Sequence, residues 1–182
     1  VYGSAVIFKS DDEGATWSPG SKILPAEGKY HCAPVPVVKH NGRIYRAYES
    51  GADGQTASAL KALMVSADED ADLLNPSSWR VSNEVGFDKS LISNWQYANA
   101  GWLEGNAVVT PQGEIVNIMR TTIAPHSDKA AVLHLDTENM ALSVGEIINL
   151  PGGSHKFSIK YDDVSGKYIS LVNNNTDKEF FN

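Results

Sequence analysis

Three strand–turn–strand units, each turning on a glycine, commit this chain to antiparallel β-structure. The stretch "APVPVVKHNGRIYRAYES" reads as two apolar strands joined at His40-Asn41-Gly42. Asn-Gly is the strongest short hairpin signal, because both residues tolerate positive φ. "GNAVVTPQGEIVNIMRTT" repeats the pattern about Pro111-Gln112-Gly113, and "KFSIKYDDVSGKYISLVNN" repeats it about a longer turn ending at Gly166. Third strands are expected in "LKALMVSAD" and "KAAVLHLDT", and fourth strands in "WRVSNEV" and "LSVGEIIN". A shorter strand, "SAVIFKS", precedes them all. No long amphipathic helix is visible, although "DEDADLLNPSSW" leaves room for a turn of helix near Pro76.

Superposing Gly42, Gly113 and Gly166 exposes an internal repeat. A unit of four antiparallel strands recurring roughly every 40 to 50 residues is the signature of a β-propeller. The expected fold is therefore all-β, in a single domain over residues 1–182. It should hold the last half of one blade, two full blades and the first half of another, about three blades' worth where a closed propeller has at least four. The expectation is a piece of a longer propeller, or half of an assembled one whose open blade edges pair with another copy. The bulk numbers close off other classes. Lys and Arg total 15 against 22 Asp and Glu, and the net charge of -7 repels phosphate backbones, so nucleic acid is excluded as a partner. No apolar run approaches the roughly 18 residues that span a bilayer. Cys32 is the only cysteine, which rules out a disulfide framework. The histidines lack metal-ligand spacing, so neither a metal nor another cofactor is expected.

The polar stretch "KSDDEGATWS" then acquires a meaning. Ser10, Asp12, Gly14, Thr16 and Trp17 follow the order Ser-x-Asp-x-Gly-x-Thr-Trp between a third and a fourth strand. This resembles the Asp-box of sialidase-like (BNR-repeat) propellers. The local chemistry agrees: Asp12 can accept backbone N–H groups across the turn, and Gly14 can take positive φ. The resemblance implies that Trp17 packs between sheets. It also implies a structural role for the box, not a chemical one.

A second resemblance lies in "WLEGNAVVTPQGEIVNIMR". Sialidases carry a Glu at the start of an inner strand and an Arg at the end of the next, and those positions fall on Glu104 and Arg120. In that family the Glu is the base partner of a nucleophilic Tyr, whose hydroxyl has a pKa near 10 and needs one. The Arg is one of three that clamp the substrate carboxylate, which a guanidinium fork fits bidentately. By the repeat, His155 takes the slot of Glu104, with Lys156 beside it as a point-charge substitute for an Arg. Ala33 takes that slot in the earlier unit, next to His31 and Cys32, which as strand neighbours point to opposite faces. Glu49 takes the slot of Arg120. Glu104 is thus the candidate catalytic residue, with Arg120, His155, Lys156, His31 and Glu49 as candidate binding residues. The family's nucleophilic Tyr, its acid/base Asp and its other two Arg have no counterpart here. The resemblance implies an exo-acting glycoside hydrolase on an acidic sugar of a glycan, incomplete in these residues, and an extracellular or periplasmic location. A non-catalytic carbohydrate-binding propeller and a structural or protein-interaction propeller are the alternatives.

Overall fold

The computed structural model describes residues 3–25, 28–54, 56–96 and 99–173. Among these the chain is all-β, arranged as four antiparallel sheets that follow one another in sequence, none closed into a barrel. The first pairs β1 (Val6–Ile7) with β2 (Ser21–Lys22). The second takes in β3 (Tyr30–His31), β4 (Val38–His40), β5 (Arg43–Ser50), β6 (Lys61–Asp68), β7 (Arg80–Val81) and β8 (Val85–Gly86). The third is a meander of β9 (Trp102–Val109), β10 (Ile115–Thr121), β11 (Lys129–Asp136) and β12 (Ala141–Asn149). The last is the hairpin of β13 (Ser158–Asp162) and β14 (Lys167–Leu171).

The second sheet is also four strands wide. Both β3 and β4 pair with β5, and both β7 and β8 pair with β6, so its outer two strands are each broken in the middle. Pro34 and Pro36 account for the first break, since a proline has no N–H for the ladder. The expected fourth strand "WRVSNEV" is correspondingly two short pieces. The hairpin turns are as the glycines require: Asn41 and Gly42 have φ of 49° and 72°, Gly113 has 84° and Gly166 has 67°. The anticipated helical turn is a short 3-10 segment, Pro76–Ser78, whose N-terminus is capped by the Asn75 side chain.

The sheets stack face to face. Strand β6 is buried on both sides, which explains its nearly continuous apolar run: Ala62 and Met64 face the third sheet, whereas Leu63 and Val65 face the first. Trp102, Ile115, Met119, Leu133 and Leu142 complete the core between the second and third sheets. On the far side of the third sheet, Val108, Val116 and Val132 pack with Ile159 of β13.

The Asp-box turn keeps its polar half and loses its apolar half. Thr16 donates its N–H to Asp12 Oδ1 at 2.8 Å and its hydroxyl to Asp12 Oδ2 at 2.7 Å. Ser10 Oγ donates to Asp12 Oδ1 and accepts from the Gly14 N–H. These bonds, led by the Thr16 N–H, hold the Asp12 carboxyl down at a pKa of about 2. Trp17, however, is 62% exposed, against the expectation of burial. Its indole folds back on its own turn, with Nε1 donating to the Gly14 carbonyl. The first sheet is only two strands wide, so among the described residues no neighbouring sheet covers the ring.

Candidate functional site

The ends of β9 and β10 and the loop before β13 bring most of the expected site residues together. Arg120 Nη1 donates to Glu104 Oε2 at 2.7 Å, and Lys156 Nζ lies 3.2 Å from Glu104 Oε1. Glu104 is nearly buried and the Arg120 side chain largely so, whereas the Lys156 side chain is 70% exposed. Arg120 is anchored a second time, its Nε donating to the Ser154 carbonyl at 2.9 Å. His155 stands beside this pair. Its burial, and then the nearby Arg120 charge, hold its imidazolium pKa below the ordinary value.

Behind Glu104 lies a second acid. Glu49, near the end of β5, is fully buried. One oxygen accepts the Gly105 N–H at 2.9 Å, and the other pairs with His31 Nδ1 at 2.8 Å. His31 is the register partner of Glu49, so His31, not Ala33, occupies the place opposite it. The break between β3 and β4 leaves Ala33 outside the paired strands in a buried position, where its carbonyl accepts from Arg46. Cys32 also faces Arg46, on the side away from Glu49, as strand alternation requires. Glu49 was expected to bind ligand. Full burial instead confines it to the protein interior, where it meets a ligand only through other groups.

The local backbone is irregular where it matters. The β9–β10 register slips between Ile118 and Arg120: Ile118 faces Asn106, but Arg120 faces Leu103, so Glu104 and Gly105 together oppose Met119. Glu104 has a φ of 58°, uncommon for a residue with a side chain. This bulge turns the Glu104 carboxylate toward the two cations. The arrangement suits recognition of an anion. Two cations face one carboxylate, and the exposed one is a lysine with three donors. Among the described residues the side chains bonded to Glu104 are Arg120 and Lys156, and no tyrosine is one of them. No group of three or more metal-ligating side chains occurs among the described residues either.

Two contributors escape a side-chain reading of the sequence: the Ser154 carbonyl and the Gly105 N–H. Backbone groups carry no residue signature, and only the glycine after Glu104 hints at a special geometry there. The Asp-box residues lie on the first sheet and take no part in this cluster.

No protein-family model matches the chain, and no curated protein matches it. It is similar to a solved structure, the crystal structure of a protein of unknown function from Dyadobacter fermentans DSM 18053. The two share 16% identity at a TM-score of 0.53, over 90% of this chain and 45% of that one. Likeness at that identity shows the fold alone. The chain spans less than half the length of the structure it matches. No helix among the described residues is long and apolar enough to cross a membrane.

Proposed function

We propose that the chain forms part of a sialidase-like β-propeller and carries one wall of a site for the acidic sugar of a glycan. Support for the propeller comes from four sheets stacked in chain order, two of them four strands wide, with half-sheets at both ends. The Asp12-centred turn on the first half-sheet adds to it, and the exposed Trp17 subtracts from it. The observation that carries the function is the convergence of Arg120, from β10, and Lys156, from the loop before β13, on the buried Glu104. One carboxylate neutralises one cation, and the exposed Lys156 is the arm left to a ligand carboxylate. Both oxygens of the Glu104 carboxylate are taken up by these two cations. Recognition is therefore the role of these residues, and hydrolysis in the family's manner needs a nucleophile and an acid from outside them. An extracellular or periplasmic location goes with this reading, and so does pairing of the open edges of β1 and β14 with further strands.

Isothermal titration calorimetry with N-acetylneuraminate and its methyl ester tests the proposal. A few polar contacts at one wall correspond to a Kd of about 1 mM, near 4 kcal/mol. The acid should bind in that range, the ester several-fold more weakly, and Lys156→Ala should abolish the difference. Equal affinity for acid and ester would reject the site. A fluorogenic sialoside should show no turnover. Turnover that disappears in Glu104→Gln would assign hydrolysis to this chain itself.

A further inference from the structure

We infer that Glu49 is the positioning residue of this site: it holds the β9 bulge that aims Glu104 at Arg120 and Lys156. The inference rests on the acidic-sugar reading for its functional consequence and on separate geometry for its mechanism.

A bulge needs something to hold it. With Glu104 and Gly105 set against the single residue Met119, the strand departs from regular pairing, and the left-handed backbone of Glu104 persists only if its surroundings over-determine it. Two features do so. Gly105 is packed so closely that a Cβ there would stand 2.2 Å from Asn117 Oδ1 and 2.5 Å from Met119 Sδ. Its N–H, meanwhile, donates 2.9 Å across the sheet interface to Glu49 Oε1. That bond joins a backbone donor to a fully buried carboxylate, and hydrogen bonds to an ionised acceptor are the stronger kind. The carboxylate cannot swing away, because His31 grips its other oxygen. An apolar side chain at position 49 would leave the Gly105 N–H buried without an acceptor.

The consequence is directional. Glu49 fixes the peptide that follows Glu104, and so fixes which way the Glu104 side chain leaves the strand. If the bulge relaxed into regular pairing, the one-residue slip would turn Glu104 to the opposite face of the sheet, away from both cations. Glu49 and Arg120 each lie seven residues beyond their turn glycines, Gly42 and Gly113. The repeat thereby sets the holder, Glu49, and Arg120, the cation paired with Glu104, at the same depth of neighbouring sheets.

The test compares Glu49→Ala and Glu49→Gln in the full chain by ¹H–¹⁵N NMR and by titration with N-acetylneuraminate. In Glu49→Ala the Gly105 amide proton should lose its downfield shift and exchange faster. The Arg120 Nε–H resonance should move, and sugar-acid affinity should fall about tenfold, the effect of a lost hydrogen bond to a buried charge. Glu49→Gln keeps an acceptor for Gly105 and an amide donor for His31, so it should restore affinity to within a few-fold. Leu142→Ala, a core control on the outer strand of the third sheet at the end away from Arg120, should lower Tm without moving the Gly105 or Arg120 resonances. The inference is overturned if Glu49→Ala shifts those resonances no more than this control does, or if Glu49→Gln fails to rescue. Should Glu49→Ala not fold, Glu49→Gln decides alone. Its neutral acceptor must move the Gly105 proton upfield, and an unmoved proton overturns the inference. A wild-type chain that binds no sugar acid overturns the functional reading, and the amide resonances still decide the positioning role.

Discussion

Arg120 and Lys156 touch the same carboxylate, yet burial gives them different roles. The Arg120–Glu104 pair is screened from solvent on both sides, and deleting its cation leaves a buried acid without its closest partner. Arg120→Ala should therefore destabilise by about 3–5 kcal/mol in urea titrations. Lys156 is mostly in water, and Lys156→Ala should cost less than about 1 kcal/mol while removing the binding arm. Asp12 makes a pH-dependent contribution. Its folded pKa, about 2, lies below the ordinary value of 3.8, so the unfolded chain binds the proton more tightly. The turn's contribution is complete above the ordinary value and is lost as pH falls through the folded one. Asp12→Asn should flatten the acid limb of the stability curve between about pH 4 and pH 2, as read by thermal melts. A limb of unchanged slope would show that the turn does not couple to folding. Glu104 and Arg120 were legible in the sequence through the resemblance of their segment to a sialidase strand pair, and Lys156 through its place beside His155 in the repeat. The true place of Glu49 was not, since burial depends on a sheet contributed by residues far away in the chain.

At the scale of elements, hairpins read well and interruptions read poorly. Asn41-Gly42, Gly113 and Gly166 each take the positive φ their turns need, so local chemistry alone located six strands. The broken first and fourth strands of the second sheet depend on where partners run out, and the β9 bulge depends on a carboxylate from another sheet. No local pattern encodes either. Trp17 was misread for a related reason: its neighbours in sequence match the Asp-box, but the covering sheet is a property of the assembly. The bulge gives the sharpest test at this scale. Gly105→Ala would drive a methyl into Asn117 and Met119, and overpacking of this kind costs about 1–3 kcal/mol. It should also disturb the Glu104–Arg120 pair, visible as a moved Arg120 Nε–H resonance. Wild-type stability in this variant would mean that the strand absorbs the residue by losing the bulge.

Across the whole molecule, exposed apolar side chains gather at the two ends of the stack. Val6, Phe8 and Trp17 lie on the first sheet, and Tyr161, Val164, Tyr168, Ile169 and Leu171 on the last; among the described residues only Val37 and Val81 lie elsewhere in this class. On the proposed propeller reading the half-sheets are complementary, β13–β14 standing as a first and second strand and β1–β2 as a third and fourth. Open edges with apolar faces invite pairing. The chain should therefore associate in a concentration-dependent way in sedimentation velocity, and Leu171→Lys with Ile169→Lys should reduce it. A monomer up to about millimolar concentration would argue that the edges are self-protecting. The site itself draws on two of the four sheets and a loop, since β5, the β9–β10 hairpin and the loop before β13 each contribute. The most direct measurement of the account is a titration of ¹⁵N-labelled protein with N-acetylneuraminate, following the Arg120 Nε–H and Gly105 amide resonances. The account predicts saturable shifts at those two positions, absent with a neutral hexose and lost in Lys156→Ala. Shifts confined to other residues, or the same shifts with the neutral sugar, would contradict it.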